Sequence, residues 1–320
     1  MNSIQVSIVI VCMNNLKNLY SCLNSIRKNT TVSCETLVVA YLFSRENLEM
    51  VKHDFPWVTF IESNEIRGFS ENNNLALRQA KGKYCFVVND DTILLQGTID
   101  YLVDAFDCSS DNVAIISPLI LDRNKKNAVC GRPPMNWYTY LLSFLRIRLK
   151  KDRKWTNGSG LFRSYNILGA AFMIKTEIFK NVGWFDEYYF FSPEDIALST
   201  KLNKIGYECW VETKSKIIHL EGMTGGQSVS IIKTATLPAG RKGLLHFYSE
   251  GKWYLYIVVW IIIFLSLNLE ILYHFVKSVG LKKPNVYSIL SLAERNSLKM
   301  IFSKKTPKQI FIYYYKLIKK

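Results

Sequence analysis

Four polar residues stand together in the run Asn89-Asp90-Asp91-Thr92, directly after the apolar stretch 84–88. The apolar stretch predicts a buried strand, so the polar side chains emerge at its carboxyl end. Adjacent carboxylates repel each other unless a proton or a cation joins them. Such oxygen ligands suit Mg²⁺ or Mn²⁺, which also bind substrate phosphates. The run therefore predicts a divalent-metal site. The alternative is an ordinary turn, where Asn and Asp are favoured.

A second pair of acids occurs in the run Ser192-Pro193-Glu194-Asp195. Ser, then Pro, then acidic residues is the order typical of a helix start, where the Ser side chain caps the first turn. The same position also suits a general base, because a carboxylate can accept the proton of an attacking hydroxyl. Both interpretations stay open from these four residues alone.

His219 follows an apolar stretch and precedes a glycine-containing segment. A lone histidine is usually structural, but beside a carboxylate-bound metal it would serve as a third ligand in its neutral form. The run Gly225-Gly226-Gln227-Ser228 is interpreted as a flexible lid that closes on phosphate.

The elements that position these residues follow a regular order over about the first 120 residues. The β-branched run 5–12 predicts a strand buried on both faces. Asn15 then predicts the N-cap of the first helix. Further strands are predicted at 36–40, 58–62 and 84–88, and further helices at 45–54 and 70–80. Alternating strands and helices predict a mostly parallel sheet with right-handed crossovers, and ligands bind at the carboxyl ends of such strands.

The alternation stops between residues 132 and 166. Arg132-Pro133-Pro134 opens this stretch, and its middle is basic. We interpret it both as a solvated loop and as a basic flap that faces phosphate or anionic lipid, and the two interpretations are compatible. The basic side chains are Arg146, Arg148, Lys150, Lys151, Arg153 and Lys154.

The last part of the chain differs in composition, so we predict a catalytic domain over 1–235 and a helical, basic region over 236–320. Residues 253–269 are almost all apolar, and the segment after them is rich in Lys and Arg. A membrane-spanning helix needs about 20 apolar residues, so this run is slightly short. We expect helices that lie in or dip into the membrane interface. A single span and a buried soluble helix are the alternatives.

The overall charge narrows the class of partner. The chain has 320 residues and a formal net charge of +15, which suits nucleic acid, an anionic membrane surface or phosphorylated substrates. Because the positive charge lies beside apolar runs and no reader motif occurs, nucleic acid is not expected. The seven cysteines are widely spaced without a CxxC pair, which disfavours disulfides and zinc and fits a reducing cytosol.

Taken in order, these motifs resemble glycosyltransferase family 2, especially its bacterial rhamnosyltransferase-like branch, over about residues 5–230. The resemblance implies a GT-A fold, which is an α/β architecture with a mixed, mostly parallel sheet flanked by helices. The motifs that carry it are Val6–Val11 with Asn14-Asn15, Asn64 with Gly68-Phe69 and Asn73-Asn74, Ala80–Tyr84, Asn89–Thr92, Gly169-Ala170, Gly183–Glu187, Pro193-Glu194-Asp195 and Ile218-His219.

The resemblance also implies roles for individual residues. Asp195 matches the catalytic base, while Asp91, Asn89 and His219 match metal-site positions, so a divalent Mg²⁺ or Mn²⁺ is implied. The donor-binding positions are Val11, Met13, Asn14, Ala40, Arg67, Asn74 and Asp90. The acceptor-binding positions are Gly169, Ala170, Asp186 and Glu194.

The chain departs from the family pattern after the second strand. Family members usually carry an Asp there that binds the nucleotide base, whereas this chain reads Val38-Val39-Ala40-Tyr41. The base would instead be held by backbone groups, by stacking on Tyr41, or by Glu65 and Arg67. The Q-x-x-R-W motif of processive members is also absent from the sequence, which favours transfer of a single sugar.

We therefore expect an inverting, non-processive transferase that moves one sugar from a dTDP- or UDP-sugar, such as a deoxyhexose, to a glycan or polyprenyl-diphosphate-linked acceptor. We expect it to act in cell-surface polysaccharide assembly on the cytoplasmic side of the plasma membrane. A catalytically inert, membrane-associated nucleotide-sugar-binding homologue is the alternative, and a nucleotidyltransferase is a weaker one.

Overall fold

The structure is a computed structural model that describes residues 4–126, 131–145, 147, 153–156, 158–220, 231–281 and 285–319. The chain forms two compact units. The first is an α/β unit made of Met1–Pro134, Lys150–Asp186 and Asp195–Met223. The second is a helical unit made of Met135–Leu149, Glu187–Glu194 and Thr224–Lys320.

One nine-stranded sheet forms the centre of the α/β unit, with the strand order β3-β2-β1-β4-β8-β6-β9-β5 and β7 paired with β9. The strands are β1 (Val6–Cys12), β2 (Cys34–Tyr41), β3 (Val58–Ser63), β4 (Tyr84–Asn89), β5 (Thr92–Leu94), β6 (Val113–Leu121), β7 (Leu161–Ser164), β8 (Ala171–Lys175) and β9 (Glu208–His219). The helices are α1 (Leu16–Asn29), α2 (Arg45–Asp54), α3 (Phe69–Leu77), α4 (Thr98–Asp107), α5 (Trp137–Phe144), α6 (Arg153–Thr156), α7 (Thr176–Asn181), α8 (Glu194–Lys204), α9 (Lys233–Ser249), α10 (Trp253–Ser278), α11 (Val286–Ile301) and α12 (Pro307–Ile318).

Strands β3, β2, β1 and β4 are parallel to one another. Ile8 and Ile10 of β1 pack into one hydrophobic cluster, and Val9 packs into a second cluster with a different set of side chains. All three side chains are fully buried. Apolar residues on both faces are what a central parallel strand requires, because helices cover both sides of such a sheet.

Strand β8 runs against its neighbours. It pairs antiparallel with β4, where Val88 faces Ala171, and antiparallel with β6. Because the two strands run in opposite directions, the first residue of β8 lies beside the last residues of β4. The segment that leads into β8 therefore reaches the carboxyl edge of β4.

The helical unit has its own hydrophobic core, in which Leu245 and Tyr248 of α9 pack with Val259 and Ile263 of α10 and Ile301 of α11. Within the described part of the chain, α10 is the helix that is long and apolar enough, by length and composition, to cross a membrane, and less than a third of its most apolar stretch is buried. An exposed stripe runs along α10 at four-residue spacing. We call it the apolar stripe, and its residues are Trp253, Ile257, Ile261, Leu265 and Leu269.

The predicted α/β class and the mixed sheet flanked by helices are confirmed. The sheet is parallel in only half of its strand pairings, because β4–β8, β6–β8, β5–β9 and β7–β9 are antiparallel. The strands and helices predicted before residue 90 are all present, and Asn15 caps α1 by accepting a hydrogen bond from the N–H of Asn18 at 3.3 Å. The stretch 132–166 is more regular than predicted, since it contains α5, α6 and β7. The side chains of its basic middle, from Arg146 to Lys154, lie outside the described residues.

Candidate active site

The turn between β4 and β5 carries the predicted metal site. Strand β5 pairs antiparallel with β9, and this pairing sets Thr92 opposite His219. The N–H of Leu220 donates a hydrogen bond to the carbonyl of Asp91 at 2.8 Å, which extends the ladder by one step. The local strand pairing therefore brings His219 to Asp91, although they lie far apart in the chain.

The side chains of Asp91 and His219 are in direct contact. The Nε2 atom of His219 lies 3.1 Å from Oδ1 of Asp91. The side chain of Asp91 is 11% exposed and that of His219 is 13% exposed. This distance is that of an ion pair, but the two groups are not aligned as a hydrogen bond. Oδ1 of Asp91 is buried and accepts no hydrogen bond from the described residues. A carboxylate oxygen and an imidazole nitrogen held this close are stabilised by a shared proton or cation.

This arrangement fits a divalent cation with two protein ligands. Within the described residues, three or more His, Cys, Asp or Glu side chains do not form a metal-binding group. Mg²⁺ and Mn²⁺ sites often use one or two protein side chains and take the remaining ligands from substrate phosphates and water. Among the described residues, Asp91 and His219 have the chemistry to hold such an ion.

Asn89 is the last residue of β4, and Asp90 follows it directly before Asp91. The N–H of Asn89 donates to the carbonyl of Ala170 at 2.9 Å. Burial raises the pKa of the Asp90 carboxyl to about 6, and the neighbouring charge of Asp91 adds to the rise, while a hydrogen bond with Cys12 opposes it. Asp90 is therefore directed to the end of β1.

Asp195 lies in the first turn of α8. Its Oδ2 atom accepts a hydrogen bond from the N–H of Gly169 at 2.9 Å, and Oδ1 accepts one from the N–H of Ile196 at 2.8 Å. A Cβ atom on residue 169 would lie only 3.3 Å from Cβ of Asp195 and 3.4 Å from its Oδ2. The absence of a side chain at Gly169 lets its backbone N–H reach this carboxylate.

The sequence did not indicate Arg132 as a partner of the predicted base. Its guanidinium NH1 lies 3.4 Å from Oδ2 of Asp195, and its side chain is 32% exposed. Its backbone is held by two hydrogen bonds with Asn166, each of 2.9 Å. The only signal in the sequence was its position at the start of the 132–166 stretch, and it lies 63 positions before Asp195.

Several predicted donor-binding residues share the carboxyl edge of the parallel strands. Val11 pairs with Asn89 of β4, and Ala40 of β2 pairs with Cys12. Met13 follows β1 and is exposed. The side-chain oxygen of Asn14 accepts a hydrogen bond from Nδ2 of Asn47 at 2.9 Å, which ties the β1–α1 turn to α2.

The other predicted donor-binding residues have different surroundings. Asn74 is fully buried, and its amide bonds both the carbonyl and the N–H of Phe185, at 3.0 and 3.2 Å. This gives Asn74 a structural role. The guanidinium of Arg67 lies 2.8 Å from Glu65. Tyr41 accepts a hydrogen bond from the N–H of Arg67 and is only 6% exposed, which leaves little ring surface for stacking on a base.

The predicted acceptor-binding residues divide into two groups. Gly169 and Ala170 precede β8 and contact Asp195 and Asn89 respectively. Asp186 is exposed, and Glu194 belongs to the helical unit, where its carboxylate accepts a hydrogen bond from the N–H of Ser192. The predicted lid at 225–228 lies outside the described residues. The residues that the structure brings together are Asn89, Asp91, His219, Arg132, Gly169, Ala170 and Asp195.

Comparison with solved structures shows the fold. The chain is similar to GalNAc-T7 in a crystal structure with UDP, GalNAc and Mn²⁺, with a TM-score of 0.58 and 18% identity over 95% of this chain and 56% of that one. It is also similar to the mannosyltransferase PcManGT from Pyrobaculum calidifontis in complex with GDP-Man and Mn²⁺, with a TM-score of 0.55 and 16% identity over 94% of this chain and 88% of that one. The chain thus spans just over half the length of GalNAc-T7.

Sequence comparison gives the family. No curated protein matches the chain. The profile described as glycosyl transferase family 2 matches residues 7–167, just over half of the chain, and the mixed sheet flanked by helices agrees with the GT-A fold. This chain therefore belongs to glycosyltransferase family 2.

Proposed function

We propose that this protein transfers one sugar, with inversion at the anomeric carbon, from a nucleotide sugar to a hydroxyl group of a glycan or lipid-linked acceptor. The observation that supports this most is that the backbone hydrogen bond between Asn89 and Ala170 links two clusters of side chains. One cluster is Asp91 with His219, and the other is Asp195 with Gly169 and Arg132. The first suits a metal-bound diphosphate and the second suits a base, which are the two requirements of the reaction.

The donor is proposed from the family and from the neighbours. The proposal that the donor is a dTDP- or UDP-linked deoxyhexose such as rhamnose rests on the resemblance to the rhamnosyltransferase-like branch. The structures of GalNAc-T7 and PcManGT contain UDP or GDP-Man together with Mn²⁺, which supports a nucleotide-sugar donor and a divalent metal. Asp91 and His219 would hold that metal, with Asn89 beside them. When bound, it would offset the charge of the departing nucleoside diphosphate.

Asp195 is proposed as the general base. The acceptor hydroxyl oxygen attacks the anomeric carbon, and the bond from that carbon to the diphosphate oxygen breaks with its electron pair. The hydroxyl proton passes to the carboxylate of Asp195. The hydrogen bond from Gly169 and the contact with Arg132 fix the orientation of Oδ2. A base that is already held in the reactive geometry lowers the entropy cost of reaching the transition state.

We also propose that the enzyme works in cell-surface polysaccharide assembly at the cytoplasmic face of the membrane. The apolar stripe of α10 supports membrane association, because large exposed apolar surfaces are uncommon on soluble proteins. The catalytic domain is proposed to end near residue 235, and α9 begins at Lys233. The absence of a Q-x-x-R-W motif supports single-sugar transfer.

The test is a thermal-shift screen of nucleotide sugars with Mn²⁺, followed by an assay of donor hydrolysis or transfer. A donor that binds the native state raises its stability. We expect one sugar nucleotide to raise the melting temperature in a Mn²⁺-dependent way. Asp195→Asn should retain that shift and lose turnover by roughly 10²-fold or more. An Asp195→Asn protein as active as the wild type would overturn the role of the base.

An inert nucleotide-sugar-binding homologue is the second candidate, because the base-binding Asp expected after β2 is replaced by Ala40. Transferases often leak sugar to water without an acceptor. Donor binding with no hydrolysis and no transfer would favour the inert homologue.

A further inference from the structure

The segment Glu187–Glu194 belongs to the helical unit, although the residues on both sides of it, Asp186 and Asp195, belong to the α/β unit. We call it the pre-catalytic segment because it leads directly into the proposed base. Its path therefore sets where the chain enters α8.

Helix α9 meets this segment through its backbone. A Cβ atom on Gly243 would lie 2.6 Å from the carbonyl oxygen of Ser192, and one on Gly240 would lie 3.1 Å from that of Phe191. Cβ contacts below 3.0 Å essentially never occur, so a side chain at 243 would force backbone to move. Positions three apart share one face of a helix. This face of α9 approaches the segment so closely because it carries no side chains there.

Aromatic contacts hold the same segment from two helices. The ring centroids of Tyr188 and His246 lie 4.1 Å apart. His246 follows Gly243 by three positions and therefore lies on the same face of α9 as Gly240 and Gly243. Phe190 is 1% exposed, and its ring centroid lies 4.6 Å from that of Phe311 of α12. The ring centroid of Phe191 lies 5.5 Å from that of Phe311. The segment is therefore packed between α9 and α12.

The backbone of Ser192 shows how tightly the path is defined. Its φ angle is +65°, in the left-handed region that residues other than glycine rarely adopt. Such a conformation persists where the surrounding structure over-determines it. The carbonyl that approaches Gly243 belongs to this same residue.

We propose that Gly240 and Gly243 are positioning residues for the base, and that the helical unit is therefore a working part of the transferase as well as an anchor. The inference rests on the proposed role of Asp195. A side chain on this face of α9 pushes the pre-catalytic segment and shifts the start of α8. A displacement of about 1 Å at a reacting group can lower turnover by roughly 10²-fold.

The experiment compares Gly243→Ala and Gly240→Ala with Lys233→Ala, an exposed position at the start of the same helix. In a helix, Gly→Ala by itself favours the helical state. We expect faster hydrogen exchange in peptides covering 187–196 for Gly243→Ala, unchanged exchange in β1–β4, and unchanged Mn²⁺-dependent affinity for UDP or dTDP by calorimetry. Turnover should fall by roughly 10- to 100-fold, with the donor KM unchanged. Gly240→Ala should show a smaller effect in the same direction.

Wild-type exchange in 187–196 together with wild-type turnover would overturn the proposal. If Gly243→Ala does not fold, Gly240→Ala decides the matter with the same readouts, because its Cβ requires a shift of only a few tenths of an ångström. Faster exchange in 187–196 without turnover of any nucleotide sugar by the wild type would count against the proposed function alone. A fall in stability with proportional losses of nucleotide affinity would count against positioning.

Discussion

The backbone N–H of Asn89 donates a hydrogen bond to the carbonyl of Ala170 at 2.9 Å. This bond joins the two clusters of the candidate site. Asn89 precedes the turn that carries Asp91, and Ala170 follows Gly169, whose N–H holds Asp195. The proposed metal ligand and the proposed base are thus connected through this backbone hydrogen bond and through the hydrogen bond from the Gly169 N–H to the Asp195 carboxylate.

The contact between Asp91 and His219 predicts a shared role in metal binding. Asp91→Asn and His219→Ala should each weaken Mn²⁺-dependent binding of UDP or dTDP by about 10-fold or more, because the first removes the negative charge of one protein ligand and the second removes the other ligand. Isothermal calorimetry with and without Mn²⁺ measures this. The matched control is Asp104→Asn, an exposed carboxylate on α4. Binding that survives both site substitutions would exclude this pair as the metal site.

Arg132 is predicted to align the base. Arg132→Ala should lower turnover by about 10-fold with little change in donor KM, because the guanidinium contacts Asp195 and not the donor cluster. Arg132→Lys should restore part of the activity, since it keeps the charge but loses the planar fork. Steady-state kinetics of the three proteins measures the difference. Equal losses in donor KM and turnover would instead indicate a role in donor binding.

Asn74 is predicted to stabilise the fold. Asn74→Ala should lower the free energy of unfolding by about 1–3 kcal/mol, because the buried N–H and carbonyl of Phe185 would lose their partners. Urea denaturation measures the change, with exposed Asn181→Ala as the control. The family resemblance places Asn74 in the donor site. Weaker nucleotide binding by protein that is still fully folded would support that assignment over the structural one.

The apolar stripe of α10 is predicted to enter the membrane interface. The double variant Ile257→Glu with Leu265→Glu should bind vesicles containing anionic lipid about 100-fold more weakly or worse, because each buried aliphatic side chain contributes about 1.5–3 kcal/mol. Vesicle sedimentation measures binding. Ile205→Glu is the control, since Ile205 is an exposed apolar residue of the α/β unit. Equal binding by all three proteins would contradict the membrane role of the stripe.

The sequence predicted the parallel half of the fold well, because its signals are local. The run 5–12 and the cap at Asn15 need only neighbouring residues to be recognised, and both are confirmed. The carboxyl-end position of Asn89 and Asp91 followed from the strand before them. These parts of the site depend on strands and helices whose ends can be recognised from short stretches of sequence.

The remaining features depend on pairing between distant residues. The reversal of β8 places Gly169 beside β4, and the short strand β5 places His219 beside Asp91. Neither pairing leaves a periodic pattern in the sequence. The partnership of Arg132 with Asp195 and the enclosure of Asn74 by Phe185 also arise from tertiary packing alone. Residue types at these positions suggested chemistry, but only the folded chain shows which atoms meet.

The reversed strand β8 also has a consequence for how specificity can change. Val11 and Ala40, proposed for the donor, belong to the parallel strands β1 and β2, whereas Gly169 and Ala170 directly precede β8 and Asp195 belongs to α8. Mutations in one set leave the backbone of the other set in place, because the link through Asn89 uses main-chain atoms that any side chain preserves. Acceptor preference can therefore diverge among descendants of this enzyme while the sugar nucleotide that they consume stays the same.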